Sequence, residues 1–278
     1  MNEVRKSEMV MRKMIQAKTS VKEKADGLMV ITLANPAQAN ALSAQTVEEL
    51  HALMDKAYQA HVMSVMSAMN QAPSSQQAPV RLLIQAEGKN FCGGFDFTDY
   101  QAQSQAEITD RFVRIEELLQ KIRYAPFPTM ACVQGAAFGA GADLVAACRF
   151  RVGQPDTRLR FPGSRFGVVL GQRHLAYLVG TAMARRLADE NLLLNAESAL
   201  ACGLLTHLVP ASSDHFDCEQ LMENVLAETT ERKHQDLSAW LPPNNRDQDM
   251  AALINSLAPA GLHSRIAAYL AAGKLAKH

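Results

Sequence analysis

The chain has 278 residues, of which 48% are apolar and 20% charged, so it carries enough apolar material for the buried core of one large domain. Its 28 Lys and Arg residues balance 28 Asp and Glu residues, which gives no reason to expect nucleic acid or a membrane surface as a partner. No apolar run is long enough to span a membrane, and the five cysteines include no C-x-x-C pair. We therefore expect a soluble protein of a reducing compartment, the cytoplasm.

Strands and helices alternate over the first 155 residues. Residues 1–24 are polar and mixed in charge, and we predict a poorly ordered lead-in there. Apolar runs predict strands over 28–33, 80–86, 129–133 and 150–152. Apolar residues at helical spacing predict one helix that begins after Ser43 and another that ends near Ile122, and the Gln-, Ser- and Pro-rich stretch 66–79 predicts a loop. This order is typical of an α/β domain with a largely parallel sheet.

Helices dominate the chain after residue 155. The segment 159–171 is predicted to be irregular because it contains Pro162 and three glycines. A short strand is predicted over 206–209, and helices are predicted over 173–179, 182–194, 196–202, 214–230, 247–257 and 262–275. We accordingly divide the chain into a lead-in (1–24), an α/β core (25–212) and a C-terminal helical region (213–278).

Two stretches of small residues each follow a predicted strand, at 92–95 and at 139–141. Ligands of parallel α/β folds bind beyond the carboxyl ends of strands, so these stretches are expected to meet. The second one opens a helix, whose free N–H groups and partial positive charge favour an anion. Asp143 lies in the first turn of that helix. The pattern therefore predicts a site for a developing negative charge with a carboxylate beside it.

Four segments in order resemble the crotonase (enoyl-CoA hydratase/isomerase) superfamily: FCGGFDF at 91–97, QGAAFGAGADL at 134–144, FPGSRFG at 161–167, and AESALACGLLTHLVP at 196–210. The resemblance implies a core of ββα turns forming a spiral, followed by a helical region used in trimer assembly. It implies a homotrimer or a dimer of trimers. It also implies an acyl thioester of coenzyme A, or of an acyl-carrier protein, as the substrate, with no prosthetic group and no metal.

The resemblance also assigns roles to residues of this chain. It makes the backbone N–H groups of Phe95 and Ala140 the two donors that bind the thioester oxygen, and Asp143 the catalytic acid or base. Such donors can stabilise an enolate or a tetrahedral oxyanion by several kcal/mol in total, at roughly 3–4 kcal/mol for one. The residues expected to bind the coenzyme A thioester are Gly94, Phe95, Asp96, Phe97 and Gly139.

The chain departs from the family's hydratases at one position. They use two glutamates, of which the first matches Asp143 and the second matches Gly163, and glycine cannot transfer a proton. Dienoyl-thioester isomerases carry an aspartate at the first position but need further acids in the segment that matches 163–171. With Asp143 as the lone acid or base, isomerase, lyase or decarboxylase chemistry is favoured over ordinary hydration. Thioester hydrolysis and a non-catalytic protein that binds a thioester or a partner remain alternatives.

Several candidate residues also have a structural interpretation. Asp143 could cap its helix or form a salt bridge. Asp96 is as typical of a turn as of a binding residue. For Cys92 a small packed thiol is favoured over a nucleophile, and for His174 a surface or capping histidine is favoured over a general base.

Overall fold

The computed structural model describes residues 18–69, 78–209, 217–230 and 244–275. The strands in these ranges are β1 (Thr19–Glu23), β2 (Leu28–Leu33), β3 (Arg81–Ala86), β4 (Thr129–Val133), β5 (Ala136–Phe138), β6 (Phe150–Gly153), β7 (Arg158–Arg160), β8 (Leu194–Asn195) and β9 (His207–Leu208). The helices are α1 (Ala44–Met69), α2 (Gln105–Arg123), α3 (Ala140–Ala147), α4 (Gln172–Val179), α5 (Thr181–Asp189), α6 (Ala196–Ala201), α7 (Cys218–Thr230), α8 (Arg246–Leu257) and α9 (Leu262–Leu275).

The strands form two sheets. The larger sheet has the order β1-β2-β3-β4-β6-β9, and all of its pairs are parallel except the antiparallel edge pair β1–β2. The smaller sheet has the order β5-β7-β8, in which β5 and β7 run parallel. All five residues of β4 are buried, as expected for a central parallel strand covered on both faces. The predicted α/β class is confirmed.

The core lies on both faces of the larger sheet. Leu82 and Ile84 point to the face covered by α1 and α2, whereas Leu83 between them points to the opposite face, where it packs with Met222 and Val225 of α7. This alternation is the ordinary period of a strand. The middle of β3 is therefore buried on both faces, and the ends of the strands lead into the loops that follow them.

The predicted lead-in is wrong at its end, because Thr19–Glu23 form β1 and pair with β2. Glu49 of α1 anchors this strand. One of its carboxylate oxygens accepts hydrogen bonds from the backbone N–H groups of Lys18 and Thr19, both at 2.9 Å, and from the Thr19 hydroxyl at 2.8 Å. The partner lies about 30 residues away, so no local pattern reveals it. Residues 1–17 lie outside the described residues.

Other boundaries also differ from the prediction. Helix α1 continues to Met69, so 66–69 is helical and not part of the predicted loop, of which 70–77 lie outside the described residues. Met and Ala are strong helix formers, and in this stretch they outweigh the polar composition. The helix predicted over 182–194 ends at Asp189, and the segment predicted to be irregular contains β7 at its start.

The C-terminal helices pack onto the core. Leu253 and Leu257 of α8 and Leu262 and Ile266 of α9 are all buried in the main apolar cluster. This packing accounts for these four apolar positions within one chain, whereas Ile254 of α8 is 45% exposed. A role of the helices in trimer assembly stays a prediction. Among the helices that the structure describes, none has the length and apolar character needed to cross a membrane.

Replacement of Glu49 by Ala should lower the free energy of unfolding by about 1–3 kcal/mol, because it leaves the Lys18 and Thr19 N–H groups without their acceptor. The matched control is Glu48→Ala on the same helix, whose exposed carboxylate pairs with Arg114 and should cost about 0.5 kcal/mol or less. Urea unfolding of both variants measures the difference. Equal losses would contradict the anchoring role of Glu49.

Candidate active site

The first small-residue loop is held from one side by the segment before α1. The Gly93 N–H donates to the Ala39 carbonyl at 2.8 Å, and the Leu42 N–H donates to the Gly94 carbonyl at 2.7 Å. The Asp96 N–H donates back to the Leu42 carbonyl at 3.3 Å. Gly94 has a φ of 94°, a conformation that favours glycine. Leu42 and Phe95 form a parallel β-bridge. The Gly94 carbonyl and the Asp96 N–H, on either side of Phe95, make the hydrogen bonds to Leu42, so the Phe95 N–H takes no part in them.

The second loop lies directly against the first. The Phe138 N–H donates to the Cys92 carbonyl at 2.9 Å, and α3 begins two residues later, after Gly139. A Cβ on Gly141 would lie 2.5 Å from the Cys92 carbonyl oxygen. A Cβ on Gly94 would lie 2.4 Å from the Phe138 carbonyl oxygen and 3.4 Å from the Ala140 nitrogen. The two loops therefore touch through backbone, as the sequence predicted, and only glycine allows that approach.

Two backbone N–H groups at this contact are free of protein acceptors. Throughout the ranges that the structure describes, neither the Phe95 N–H nor the Ala140 N–H donates a hydrogen bond to the protein. Both residues line the same cavity, which has a volume of about 100 Å³. The Ala140 N–H also belongs to the first turn of α3, where the helix dipole favours an anion.

The structure brings most of the predicted site residues to this cavity. Gly94, Phe95, Phe97, Gly139, Ala140 and Asp143 all line it. Asp96 is not among its lining residues. Its carboxylate accepts the Thr98 N–H at 2.9 Å and so stabilises the turn that follows. Of the two interpretations of Asp96, the geometry favours the turn.

Aromatic rings form one wall of the cavity. The Phe95 ring stacks on Phe112, with centroids 4.2 Å apart, and the Arg111 guanidinium carbon lies 4.0 Å from the Phe95 centroid. Arg111 also donates to the Asp96 carbonyl at 2.8 Å, which fixes the backbone next to Phe95. The wall continues through Phe166, whose centroid lies 5.0 Å from that of Tyr269 on α9. These contacts hold the first loop rigidly and make this side of the cavity apolar.

Asp143 is the only carboxylate among the residues that line this cavity. It is 7% exposed, and its carboxyl group forms no hydrogen bond or ion pair with any described residue. Burial raises its pKa well above the usual range of an aspartate, the nearby negative charge of Glu116 raises it further, and Arg123 opposes them. A capping or salt-bridging role, the structural alternative for Asp143, therefore has no partner in the part of the chain that the structure describes.

Gly163 lies at the cavity with no side chain to offer. It is part of a short 3₁₀ helix, Pro162–Phe166, and its carbonyl accepts the Val168 N–H at 3.0 Å. A Cβ at this position would lie 3.0 Å from the Val168 carbonyl oxygen, which is tight. The chain after 163 thus folds back against Gly163, which the sequence resemblance matches to the second glutamate of the family's hydratases.

Burial decides between the structural and catalytic interpretations of Cys92 and His174. Cys92 is fully buried, which raises the pKa of its thiol to about 12, so it is a packed thiol and not a nucleophile. His174 was expected at the surface or at a helix cap, and this prediction is wrong. It is buried, its Nε2 lies 2.9 Å from the Ala146 carbonyl oxygen, and burial lowers its pKa to about 3.

Sequence reasoning missed two charged residues near the cavity. Glu116 of α2 lies behind Asp143, and Arg160 at the end of β7 lines the cavity itself. The available signal for Glu116 was its position: an acid one turn after Phe112, inside the apolar stripe of α2. Among the described residues, no group of three or more His, Cys, Asp or Glu side chains is arranged to hold a metal ion.

Comparison with known proteins identifies the fold and the family. A family model described as enoyl-CoA hydratase/isomerase matches residues 23–239. The chain belongs to the enoyl-CoA hydratase/isomerase family. The predicted crotonase resemblance is thereby confirmed.

Individual members of the family are distant relatives. The enoyl-CoA isomerase/hydratase fer4 of Mycosarcoma maydis is 27% identical over 57% of this chain and 59% of its own length. The protein named a probable enoyl-CoA hydratase, echA6, of Mycobacterium tuberculosis (strain CDC 1551 / Oshkosh) is 30% identical over 66% of this chain and 68% of its own length.

Solved structures match over more of the chain. A crystal structure of a candidate enoyl-CoA hydratase/isomerase from Bordetella parapertussis has 32% identity and a TM-score of 0.77, and the match covers 92% of this chain and 99% of that one. The enoyl-CoA hydratase from Bacillus halodurans has 18% identity and a TM-score of 0.67, over 90% of this chain and 99% of that one. At that identity the second match shows the fold alone.

Replacement of Gly141 by Ala should separate the two loops of this family member, because the new Cβ would overlap the Cys92 backbone. We expect a net loss of at least about 1 kcal/mol in the free energy of unfolding, since overpacking outweighs the gain in helix propensity. Gly93→Ala in the other loop is the control. A Cβ there would lie 3.4 Å from its nearest neighbour, the Ala39 carbonyl oxygen. Thermal unfolding that finds both variants equally stable would refute the close contact.

Replacement of Asp143 by Asn should stabilise the protein, and the gain should increase with pH. The pKa of Asp143 is higher in the folded state than in the unfolded chain, so the folded state binds the proton more tightly. The stability of the wild-type protein therefore falls as the pH rises through the folded-state pKa, and the Asn variant escapes this fall. Urea unfolding from about pH 4 to about pH 8 measures it. The exposed Asp99→Asn serves as the control, and a pH-independent difference for Asp143→Asn would contradict the prediction.

Proposed function

We propose that this protein is an enzyme that acts on an acyl-CoA thioester through an enolate, and that migration of a carbon–carbon double bond is the reaction its site fits best. One observation supports this most strongly. Two backbone N–H groups without protein acceptors, those of Phe95 and Ala140, share a cavity with one unpaired buried carboxyl group, that of Asp143. The cavity combines an oxyanion hole with a single proton carrier.

In the proposed reaction, the thioester oxygen of a β,γ-unsaturated acyl group accepts hydrogen bonds from Phe95 and Ala140. The Asp143 carboxylate removes a proton from the α-carbon, and the electron pair moves into the thioester carbonyl to give a dienolate. Asp143 then returns the proton to the γ-carbon, and the double bond moves to the α,β position. No water is consumed, and one carboxyl group performs both transfers. Burial moves the pKa of Asp143 from the usual range of an aspartate towards neutral pH. The nearer the pKa lies to the working pH, the better one residue can act as both base and acid.

Hydration fits the same site less well. Addition of water to an enoyl thioester requires a group to direct and deprotonate the water while another protonates the α-carbon. The second of these positions is Gly163, and no other carboxylate lines the cavity among the described residues. Isomerase, lyase and decarboxylase reactions, in which one acid or base suffices, are therefore favoured over standard hydration.

Arg160 supports decarboxylation as a second candidate reaction. It lines the cavity with its guanidinium carbon 4.6 Å from the Phe138 centroid, and its buried Nε has no hydrogen-bond partner within the described residues. A carboxylate on the acyl group would supply an anion for this cation. Loss of carbon dioxide would leave the electron pair in the enolate held by Phe95 and Ala140, and protonated Asp143 would then deliver a proton to the α-carbon.

The dimensions of the cavity favour a small acyl group. Its volume of about 100 Å³ is below the range typical of pockets for larger ligands, and Phe112 and Phe166 close its apolar side. We propose a short-chain thioester of coenzyme A, with an acyl-carrier protein as the alternative carrier. Gly94, Phe97 and Gly139 are the proposed contacts to the thioester arm, and no prosthetic group takes part.

The family resemblance supports a proposal for the assembly, and the cysteine usage supports one for the location. We propose a homotrimer, or a dimer of trimers, in the cytoplasm. Light scattering of the purified full chain would test the assembly. Thioester hydrolysis and binding without turnover are the competing functions, and the experiment below separates them from isomerisation.

The test measures binding and turnover separately with 3-butenoyl-CoA, a β,γ-unsaturated thioester, in deuterated water. We expect conversion to the conjugated α,β isomer, followed by ultraviolet absorbance, and mass spectrometry of the product of one turnover should find little deuterium, because Asp143 returns the proton that it removed. Asp143→Asn should lower kcat by about 10²-fold or more, because it removes the proton carrier, while the Kd of the thioester stays within about threefold. The exposed Asp99→Asn should leave both constants unchanged.

Four outcomes would overturn the proposal. Tight binding of both acetyl-CoA and 3-butenoyl-CoA with no turnover would identify a binding protein. Release of free coenzyme A would identify a hydrolase. Full activity of Asp143→Asn would remove Asp143 from the mechanism. Carbon dioxide released from malonyl-CoA, without isomerisation of the butenoyl thioester, would select the decarboxylase.

A further inference from the structure

Glu116 is a second acid beside the site, and it comes from an element that the family motifs do not include. It lies on the buried face of α2, the helix that packs against α3, and is 1% exposed. Its Oε1 accepts a hydrogen bond from the Gln120 amide at 2.9 Å. Its Oε2 is buried and has no hydrogen-bond partner in the described part of the chain.

Gly171 is close to both Glu116 and Asp143. Its backbone N–H opposes the rise in the pKa of Glu116 without forming a hydrogen bond to Oε2 of that residue, and a Cβ on Gly171 would lie 2.7 Å from Oδ1 of Asp143. Gly171 has a φ of 63°, which favours glycine. A residue without a side chain therefore links the two acids.

Helices α2, α4 and α8 contribute the charged groups around Asp143 and Glu116. Arg123 on α2 donates to Asp249 on α8 at 2.8 Å, and Arg173 on α4 donates to the other oxygen of Asp249 at 3.0 Å. His174 on α4 is buried, with its pKa lowered to about 3, and adds no charge near neutral pH. Strand β5, which also packs on α3, has no ionisable residue.

With every acid ionised, the cluster would contain three carboxylates and two guanidinium groups, which leaves one uncompensated negative charge in a buried region. These charges are Asp143, Glu116, Asp249, Arg123 and Arg173. Arg160 lines the same cavity as Asp143 but is not among the groups that shift the pKa of Asp143 or Glu116, and Arg151 acts on His174. Burial of an unpaired charge is costly. One proton on either Asp143 or Glu116 makes the cluster neutral.

We propose that Glu116 is the positioning residue of the catalytic site: Asp143 and Glu116 hold one proton in common across Gly171, so that Asp143 meets the substrate as a carboxylate when the shared proton lies on Glu116. This inference rests on the proposed function. Burial raises the pKa of both groups, and the negative charge of Glu116 adds to the effect at Asp143. Two such carboxyl groups titrate as a pair and not independently.

This arrangement would compensate for the acid that is absent at Gly163. In place of a second acid that touches the substrate, the protein has an acid behind the first one. Glu116 does not line the cavity, so it acts through Asp143 alone. A purely structural Glu116 would instead only complete the polar contact between α2 and α8, and its removal would change stability without changing the titration of Asp143.

The test is a direct titration of Asp143 in the full chain without substrate, by NMR of carboxyl groups labelled with ¹³C, with the signal assigned from its loss in Asp143→Asn. We expect Glu116→Gln to lower the midpoint of Asp143 by about one pH unit or more, because it removes the coupled charge. Glu117→Gln is the control, since Glu117 is the next residue on α2 and pairs with Arg114 at the surface. It should leave the midpoint unchanged.

An unchanged Asp143 midpoint in Glu116→Gln, or an equal change in Glu117→Gln, would overturn the proposal. If Glu116→Gln does not fold, the reciprocal measurement replaces it: Asp143→Asn must lower the midpoint of Glu116, since coupling between two sites is mutual. No change there would also refute the shared proton.

Turnover adds a second readout. The acid limb of the pH dependence of kcat/KM should move to lower pH in Glu116→Gln by the same amount as the NMR midpoint. The titration needs no substrate, so it tests the shared proton independently of isomerisation. Either proposal can be refuted while the other is supported.

Discussion

The contact between two backbone loops is the constraint on which the rest of the site depends. Gly141 lies against the Cys92 carbonyl, and Gly94 lies against the Phe138 carbonyl and the Ala140 nitrogen. These contacts bring a loop from the end of β3 to the start of α3, a helix almost 50 residues further along the chain. They also bring Phe95 and Ala140, whose N–H groups have no acceptor among the described residues, to the lining of one cavity. Both donors are backbone atoms, so side-chain changes at these residues can alter the shape of the cavity and leave its donors in place.

The second constraint is electrostatic. A carboxyl group that is 7% exposed and lacks any partner among the described residues reduces the stability of the fold whenever it is ionised. Arg123 lowers this cost, because its positive charge opposes the rise in the pKa of Asp143. Asp249 forms ion pairs with both Arg123 and Arg173. Ionisation of Asp143 therefore lowers the stability of the fold, and its protonated form does not carry this cost.

The sequence predicted the parts of the structure that are encoded locally. The strands 28–33 and 129–133 have the predicted bounds, because apolar runs between turn residues define them without help from the rest of the chain. The cavity residues Phe95, Ala140 and Asp143 were also predicted, since each lies in a short motif at the end of a strand. Strand β1 was missed because its anchor is Glu49, about 30 residues away. Glu116 was missed because only the packing of α2 on α3 reveals that it faces Asp143, and Arg160 because only the pairing of β5 with β7 brings it beside Phe138.

Two glycines also limit how this protein could evolve. A side chain at Gly171 would fall within 2.7 Å of Asp143 and would need an unfavourable backbone conformation, and one at Gly163 would fall within 3.0 Å of the Val168 carbonyl. A side chain at Gly163 would therefore require the Val168 backbone to move, and one at Gly171 would displace the carboxyl group of Asp143. The two glycines thus fix the shape of this wall of the cavity, and a change at either one would reach Asp143 or the loop that follows Gly163.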